Sequence, residues 1–270
     1  MKKEPKNKLL KEQLSSLISK YSQSNVLEEL AKTHYNNPIQ TLAISEISDN
    51  HFVKRVTFSL GQINHFIENY HRNFLLEPLV VRAREGKYEV IIGRKKLAAA
   101  KLGKLDEIPV IIMNYNDEET LLILLAKARD SQDRNILELA LIFNSLATKH
   151  GYSHQSLANL AFLSRAQVTN ILRILKLDDA LLTALNKNEI SYGHARALIG
   201  LSPEASTHYL NLITTNNISV RELEALIRTS NGSDTPNEEP IVIQQKNKVT
   251  IIFASEAEAN KFMSKKSNIS

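Results

Sequence analysis

The spacing of apolar residues divides the chain into a mixed first part and a helical second part. Short β-branched runs alternate with amphipathic stretches over residues 39–116, which predicts a small α+β domain. The predicted strands are Thr41–Ile47, Pro78–Arg82, Tyr88–Ile92 and Ile108–Met113, and the predicted helices are Leu60–Tyr70 and Lys95–Leu102.

Residues 117–228 carry apolar positions at three- and four-residue spacing, typical of short packed helices. One stripe consists of Ile136, Leu139, Ala140, Phe143, Leu146 and Ala147. Helix starts are marked by Ser202 before Pro203 and by Ser219 with Glu222. An all-α domain is therefore predicted here.

The two ends of the chain differ in composition from the two predicted domains. Residues 1–38 predict a basic flexible arm with a short helix, Lys8–Lys20, and the polar residues 229–240 predict a linker. Residues 241–270 predict two strands and a helix, at Ile241–Gln244, Lys248–Phe253 and Ser255–Met263. Thirty residues cannot bury a core alone, so this small β-β-α unit is expected to dimerise.

Composition narrows the function classes. The chain has 270 residues, 43% hydrophobic and 23% charged, and no apolar run approaches the ~20 residues of a membrane helix. We expect a cytoplasmic protein without membrane contact. The absence of cysteine excludes disulfides and thiol chemistry, and His65 and His71 lack metal-binding spacing, so no metal site is expected. The net charge of +5 favours an acidic partner such as nucleic acid.

A glycine turn at residue 93 carries the first candidate chemistry. The β-branched run 88–92 leads into Gly93, then into Arg94, Lys95 and Lys96 at the start of an alanine-rich helix. Backbone N–H groups at a helix start, together with cations, suit a phosphate chain. The alternative is a basic surface that contacts DNA phosphates.

A second candidate lies at residues 153–177, which predict two short helices around a tight turn. Ser153 would cap the first helix, and Ser164 with Gln167 would cap the second. This spacing is typical of a helix-turn-helix whose second helix enters the major groove. The candidate DNA-binding residues are Ser164, Arg165, Gln167, Thr169, Asn170 and Arg173.

Within that pair, Leu157, Ala161, Leu163, Val168 and Ile171 are expected to form the shared core. Arg165 is expected to read a guanine edge, and Arg173 to contact phosphate. Phe162 stands where glycine is common, and a positive φ there would cost about 1 kcal/mol. The alternative is an ordinary helical hairpin.

Together these segments resemble the ParB family of chromosome and plasmid partition proteins. The residues that carry the resemblance are Asn50, Arg55 and Phe58, the segment Leu75–Arg82, Gly93 with Ala99 and Ala100, Lys101–Ile112 and Ile190–Leu201. The resemblance implies a homodimer that binds a centromere-like palindrome in double-stranded DNA and is nucleoid-associated. It also implies a ParA-type ATPase as partner, with contacts expected at Lys2, Lys3, Lys6 and Lys8.

The resemblance further implies that the protein is a clamp that binds CTP with Mg²⁺. The motifs that bind the nucleotide in the family differ in this chain. The expected nucleotide-binding residues are Gly93, Arg94, Lys95, Lys96, Arg55 and Arg134. The family's Glu-Arg-Arg is replaced by Arg94-Lys95-Lys96, which keeps positive charge but loses arginine forks. Its second motif, Glu-Asn-x-x-Arg, aligns either to Lys127–Ser131 or to Asp130–Arg134, and the two registers stay open.

Three functions fit these residues. The first is a DNA-partition protein acting with a ParA-type ATPase, and the second is a ParB-like transcriptional regulator or nucleoid-occlusion factor. The third is a nucleotide-dependent enzyme on the same fold, such as a weak CTPase. It would need metal-binding carboxylates near Gly93, for which Glu107 and Glu138 are the candidates.

Overall fold

The computed structural model describes most of the chain from residue 37 to residue 229. The described residues are 37–71, 77–131, 134–229, 241–245, 248–252 and 262. Three predicted segments therefore lie outside the described residues: the basic arm up to residue 36 with its helix, the linker except residue 229, and the tail helix except Phe262. The chain divides into two compact units, Met1–Leu172 and Arg173–Ser270.

Five strands of the described residues form a mixed sheet in the order β1-β5-β3-β4-β2. They are β1 (Ile39–Ala43), β2 (Ile47–Ser48), β3 (Leu79–Arg84), β4 (Lys87–Ile92) and β5 (Glu107–Ile112). β1 pairs with β5, and β3 with β4, antiparallel, whereas β3 with β5 and β2 with β4 run parallel. The apolar runs of β3 and β4 thus lie in the sheet's interior, where both faces are covered.

The predicted strand Thr41–Ile47 is confirmed at Thr41–Ala43 and at Ile47 but is wrong in between, where a short 3₁₀ turn at Ile44–Glu46 interrupts it. The backbone N–H of Ile44 donates to the carbonyl of Asp106 at 2.9 Å. Ile44 and Ile47 are both buried in one core. Residues three apart on a straight strand face opposite sides, so the turn is what brings both side chains into that core.

Two helices pack on this sheet, α1 (Leu60–His71) and α2 (Arg94–Leu102). Their shared core with the sheet includes Ile63, Leu79, Val81, Val90, Leu97, Ala99, Ala100 and Val110. Ala99 and Ala100 are fully buried, and their small side chains allow α2 to approach the strands closely. The alanine-rich composition that marked this helix in the sequence therefore reflects its packing.

Four further helices complete the first unit: α3 (Asp117–Asp130), α4 (Ile136–His150), α5 (His154–Ala161) and α6 (Arg165–Arg173, of which Leu172 is the unit's last residue). Side chains of Asn116, Asn135 and Ser153 accept hydrogen bonds at the starts of α3, α4 and α5. The predicted stripe on α4 faces inward, with Leu139, Ala140, Phe143 and Leu146 buried.

The second unit contains helices and a hairpin. Its elements are α7 (Asp179–Asn186), α8 (Tyr192–Leu198), α9 (Pro203–Asn216), α10 (Val220–Thr229), β6 (Ile241–Gln245) and β7 (Lys248–Ile252). Ser202 caps α9, and Ser219 and Glu222 form the predicted capping box of α10. β6 and β7 lie at the two predicted strand positions and pair antiparallel. No helix among the described residues has the length and apolarity to cross a membrane.

A buried carboxylate on β4 fixes the loop of residues 49–58 against the sheet. Glu89 accepts hydrogen bonds from Nε of Arg82 at 2.8 Å and from the backbone N–H of His51 at 2.9 Å. Asn50 is fully buried and donates to a β4 carbonyl at 3.1 Å. Burial favours the neutral form of Glu89, but the hydrogen bonds from His51 and Arg82 outweigh burial and lower its pKa. The start of the loop therefore depends on an ionised carboxylate.

Gly93 joins β4 directly to α2 in a turn that a side chain would obstruct. Its φ is +100°, and a β-carbon built there would lie 2.5 Å from Cδ2 of Leu79. Gly86 also has positive φ, +76°, but a β-carbon there would meet nothing within 4 Å. A side chain at Gly86 would therefore incur backbone strain alone, whereas a side chain at Gly93 would incur both backbone strain and a steric clash.

We expect Gly93→Ala to lower the free energy of unfolding by about 2–4 kcal/mol, because strain and overpacking add. Gly86→Ala carries the strain alone and should cost about 1 kcal/mol. Urea unfolding of both variants measures the difference. Equal losses would show that Leu79 moves aside at no cost.

Candidate nucleic-acid and nucleotide sites

The two helices α5 and α6 form the predicted helix-turn-helix, and its caps are confirmed. Ser153 Oγ accepts from the backbone N–H of Ser156 at 3.1 Å. At the second helix, Ser164 Oγ accepts from Gln167 N–H at 3.2 Å, and Gln167 Oε1 accepts from Ser164 N–H at 2.8 Å. Ser164 and Gln167 thus use their polar groups to begin α6.

The predicted core of the pair is also confirmed. Four of its five members, Leu157, Ala161, Val168 and Ile171, are buried, and the fifth, Leu163, is half-buried. Ala158 is fully buried where α5 meets its neighbours. The remaining face of α6 is polar and accessible.

On that accessible face the predicted DNA-binding residues differ in what they offer. Arg165 and Arg173 are exposed, and Asn170 is half-buried. The hydroxyl of Thr169 donates to the carbonyl of Arg165 at 3.0 Å and lies 2.9 Å from Nδ1 of His154. Arg165 in the first turn has the position and the fork geometry for a guanine edge in the major groove.

The turn between the helices is stabilised by a residue that sequence reasoning missed, Arg129 at the end of α3. Phe162 adopts the left-handed φ of +55° and is 63% exposed. The Cζ atom of Arg129 lies 4.5 Å from the centroid of the Phe162 ring, and its Nη1 donates to the carbonyl of Leu160 at 3.2 Å. A cation–π contact of about 0.5–2 kcal/mol offsets the strain that phenylalanine incurs here.

At the Gly93 turn, the side chain of Arg94 points into the protein and is 7% exposed. Its Nε and Nη2 donate to the two carboxylate oxygens of Asp49 at 2.7 and 2.9 Å. Nη2 also donates to the carbonyls of Val53 and Val56 at 3.0 and 2.9 Å. The structure therefore gives Arg94 a role different from the predicted phosphate contact: it holds the 49–58 loop on α2.

Arg94 also connects the sheet with the helices that follow. Its Nη1 donates to Oε1 of Glu138 on α4 at 3.3 Å. Burial raises the pKa of Glu138, and the nearby Arg94 guanidinium acts in the opposite direction. One buried cation thus joins the loop, α2 and α4.

The two lysines of the turn, Lys95 and Lys96, are half-buried. Nζ of Lys95 lies 6.0 Å from the centroid of the Phe58 ring, and Arg55 is exposed on the same 49–58 loop. Lys96 forms an ion pair with Glu77, which lowers the pKa of Glu77. No side chain caps the start of α2. The turn therefore presents backbone and lysine groups that suit an anion.

In the ungapped alignment, the second motif begins at Lys127 in the last turn of α3. Lys127 on α3 is half-buried and interacts electrostatically with Lys96, Glu77 and Asp130. Burial, and after it the charge of Lys96, lowers the pKa of Lys127. In the sequence, Lys127 was noted only because it replaces a glutamate of the family motif in the ungapped alignment, and no role was predicted for it.

The shifted alignment leads to a different arrangement. The carboxylate of Asp130 accepts from Nε of Arg129 at 2.7 Å, and this contact lowers the pKa of Asp130. Arg134 is exposed, and its Nε donates to the carbonyl of Arg129 at 3.0 Å. Asp130 and Arg134 therefore both bind Arg129, the residue that contacts Phe162. The described residues contain no group of three or more His, Cys, Asp or Glu side chains that could hold a metal ion.

Comparison with known proteins gives consistent matches. Residues 28–129 match the ParB N-terminal domain family, and residues 132–232 match the ParB HTH domain family. A probable chromosome-partitioning protein ParB of Helicobacter pylori is 30% identical over 223 residues, 83% of this chain and 76% of that protein. A nucleoid occlusion protein of Halalkalibacterium halodurans is 30% identical over 198 residues, 73% of this chain and 70% of that protein.

Among solved structures, the C-terminally truncated chromosome-partitioning protein ParB of Caulobacter crescentus, complexed to the centromeric parS site, is 27% identical. The match covers 70% of this chain and 99% of that chain, with a TM-score of 0.41.

We expect Arg94→Ala to lower the free energy of unfolding by about 3 kcal/mol, because Asp49 and Glu138 would lose their buried counter-charge. Arg94→Lys should recover only part of this loss, since lysine cannot form the bidentate contact. Urea unfolding measures both. Arg228→Ala is the control, because its pair with Glu224 is exposed and should contribute less than about 0.5 kcal/mol. A loss as small as the control's would contradict the role given to Arg94.

Proposed function

This chain belongs to the ParB family of DNA-binding chromosome-partitioning proteins, and we propose that it binds a centromere-like DNA palindrome as a dimer and acts with a ParA-type ATPase. The observation that carries this proposal is the capped, well-packed helix-turn-helix whose second helix presents Arg165 and Arg173 to solvent. That arrangement suits insertion of α6 into the major groove.

The six predicted DNA-binding residues take three roles in this proposal. Arg165 reads a base edge, and Arg173 contacts a phosphate. Asn170 is available to a base from the middle of α6. Ser164 and Gln167 begin the helix, and Thr169 supports it, because their polar groups already bond within the protein.

The Gly93 turn is proposed to bind the phosphate chain of CTP. Backbone groups at the start of α2, Lys95 and Lys96 surround the place where an anion would lie, and Arg55 projects from the neighbouring loop. In this proposal Arg94 positions the loop and makes no contact with the ligand. Binding of DNA phosphates by the same lysines is the alternative use of this surface.

The chain ends supply the remaining parts of the proposal. The β6–β7 hairpin is too small to be stable alone, which supports pairing with a second copy. Lys2, Lys3, Lys6 and Lys8 give the N-terminal arm positive charge for a contact with the ATPase. In the ParB family the C-terminal domain dimerises and the N-terminal arm contacts the ATPase, and both features suit these roles.

A second candidate function is nucleoid occlusion or transcriptional regulation on the same fold. The observation that favours it is the 30% identity to the nucleoid occlusion protein of H. halodurans, equal to the identity to the H. pylori protein. Both functions need sequence-specific DNA binding, so they differ in where the protein is located on the chromosome.

We expect Arg165→Ala to weaken binding to the preferred DNA site by about 1–3 kcal/mol while leaving binding to random DNA unchanged. Arg173→Ala should weaken both by similar factors and reduce the slope of log K against log salt by about one. Fluorescence anisotropy at several salt concentrations measures both effects. Equal behaviour of the two variants would contradict the assigned contacts.

A genome-wide occupancy profile in the host tests the function itself. For a partition protein we expect one or a few peaks with shoulders that spread over kilobases, because a clamp loads at its site and slides. Numerous separate sites across the chromosome would instead support the occlusion or regulatory role. A flat profile would contradict both.

A further inference from the structure

The turn between α5 and α6 is short and strained. Two residues, Phe162 and Leu163, lie between the end of α5 and Ser164, whose side chain caps α6. Phe162 adopts a left-handed φ of +55°, a conformation that glycine adopts freely and phenylalanine does not. With so short a connection, the backbone angles of Phe162 determine the direction in which α6 leaves α5.

Arg129 holds this turn at two points. Its Nη1 donates to the carbonyl of Leu160 at 3.2 Å, in the last turn of α5, where carbonyls have no partner within the helix. Its Cζ lies 4.5 Å from the centroid of the Phe162 ring. A cation at the C-terminal end of a helix is also favoured by the helix dipole. One guanidinium therefore fixes both the end of α5 and the strained residue that follows it.

Arg129 is itself held firmly. Its side chain is 5% exposed, and its Nε and Nη2 donate to the two carboxylate oxygens of Asp130 at 2.7 and 3.1 Å. Such a bidentate pair fixes the plane of the guanidinium. Arg129 is the last residue of the match to the ParB N-terminal domain, whereas the turn lies within the match to the HTH domain. A fixed group of the first domain thus acts on the second.

We propose that Arg129 is a positioning residue for DNA recognition, which holds α6 at the angle that its base contacts require by supporting Phe162. This inference rests on the proposed DNA binding by α6. Hydrogen bonds to a base edge need fixed geometry, whereas binding to phosphates depends mainly on charge. Loss of Arg129 should therefore lower discrimination between DNA sequences more than it lowers binding to DNA in general.

Fluorescence anisotropy of the full chain tests the inference. The probes are a duplex that the unmodified chain selects from a random-sequence pool and a scrambled duplex of the same composition. Arg129→Met should weaken binding to the selected duplex at least about tenfold, the loss expected for one good base contact, and leave binding to the scrambled duplex unchanged. The slope of log K against log salt should stay the same, because the buried Arg129 contacts no phosphate.

A second substitution separates positioning from folding. Glycine adopts the left-handed conformation without strain, so Phe162→Gly in the Arg129→Met background should restore most of the lost discrimination. The free energy of unfolding should remain below that of the unmodified chain, because the carbonyl of Leu160 still lacks its donor. Phe162→Gly alone should leave discrimination unchanged. If Arg129→Met does not fold, Arg129→Lys, which keeps a donor and loses the fork, is compared with and without Phe162→Gly.

Arg84→Met is the matched control. Arg84 also pairs with the carboxylate of the next residue, Glu85, at 2.8 Å, but lies at the end of β3. The substitution makes the same charge change and removes the same kind of neighbouring pair. Its affinities for the selected and the scrambled duplex should equal those of the unmodified chain.

Several results would overturn the inference. Equal losses on both duplexes would show that Arg129 acts on folding alone, and affinities equal to those of Arg84→Met would show no role. A salt slope reduced by about one would reveal a phosphate contact. Failure of Phe162→Gly to restore discrimination, or a loss of affinity in Phe162→Gly alone, would also contradict it. Absence of any preferred duplex for the unmodified chain would overturn the inference and the proposed sequence-specific binding together.

Discussion

The arrangement of the first unit depends on the buried guanidinium of Arg94. It donates to Asp49, to two carbonyls of the 49–58 loop and to Glu138, and so joins three segments distant in sequence. A buried cation is stable only when its partners are in place, and the loop carbonyls need a donor when buried. The loop, α2 and α4 therefore take up their positions together.

The inward direction of Arg94 determines what the Gly93 turn offers to a ligand. With the arginine committed to the protein, the remaining positive charges of the turn are the half-buried Lys95 and Lys96, and Lys96 is paired with Glu77. These are strongly hydrated point charges without the planar fork that matches a phosphate edge. In the proposed nucleotide site, affinity would then depend on lysine charges and on the backbone groups at the start of α2, without an arginine fork.

The sequence predicted the local features and missed the long-range ones. The caps at Ser153, Ser164 and Ser202 were predicted correctly because a capping contact spans only three residues. The inward turn of Arg94 could not be predicted, since its partners Asp49 and Glu138 lie 45 and 44 residues away. The 3₁₀ turn at Ile44–Glu46 was missed for a related reason, because it is fixed by a hydrogen bond to Asp106.

Several polar side chains of α6 already form hydrogen bonds within the protein, which limits the residues that can recognise DNA bases. Ser164, Gln167 and Thr169 bond within the protein, so Arg165 and Asn170 are the predicted residues that remain for base edges. Two good contacts of about 1–3 kcal/mol each supply about 2–6 kcal/mol of discrimination. Specific DNA-binding proteins typically show about 4–10 kcal/mol over random DNA. In the proposed dimer, two copies of α6 on a palindrome would double these contacts and raise the discrimination to about 4–12 kcal/mol, which spans that range.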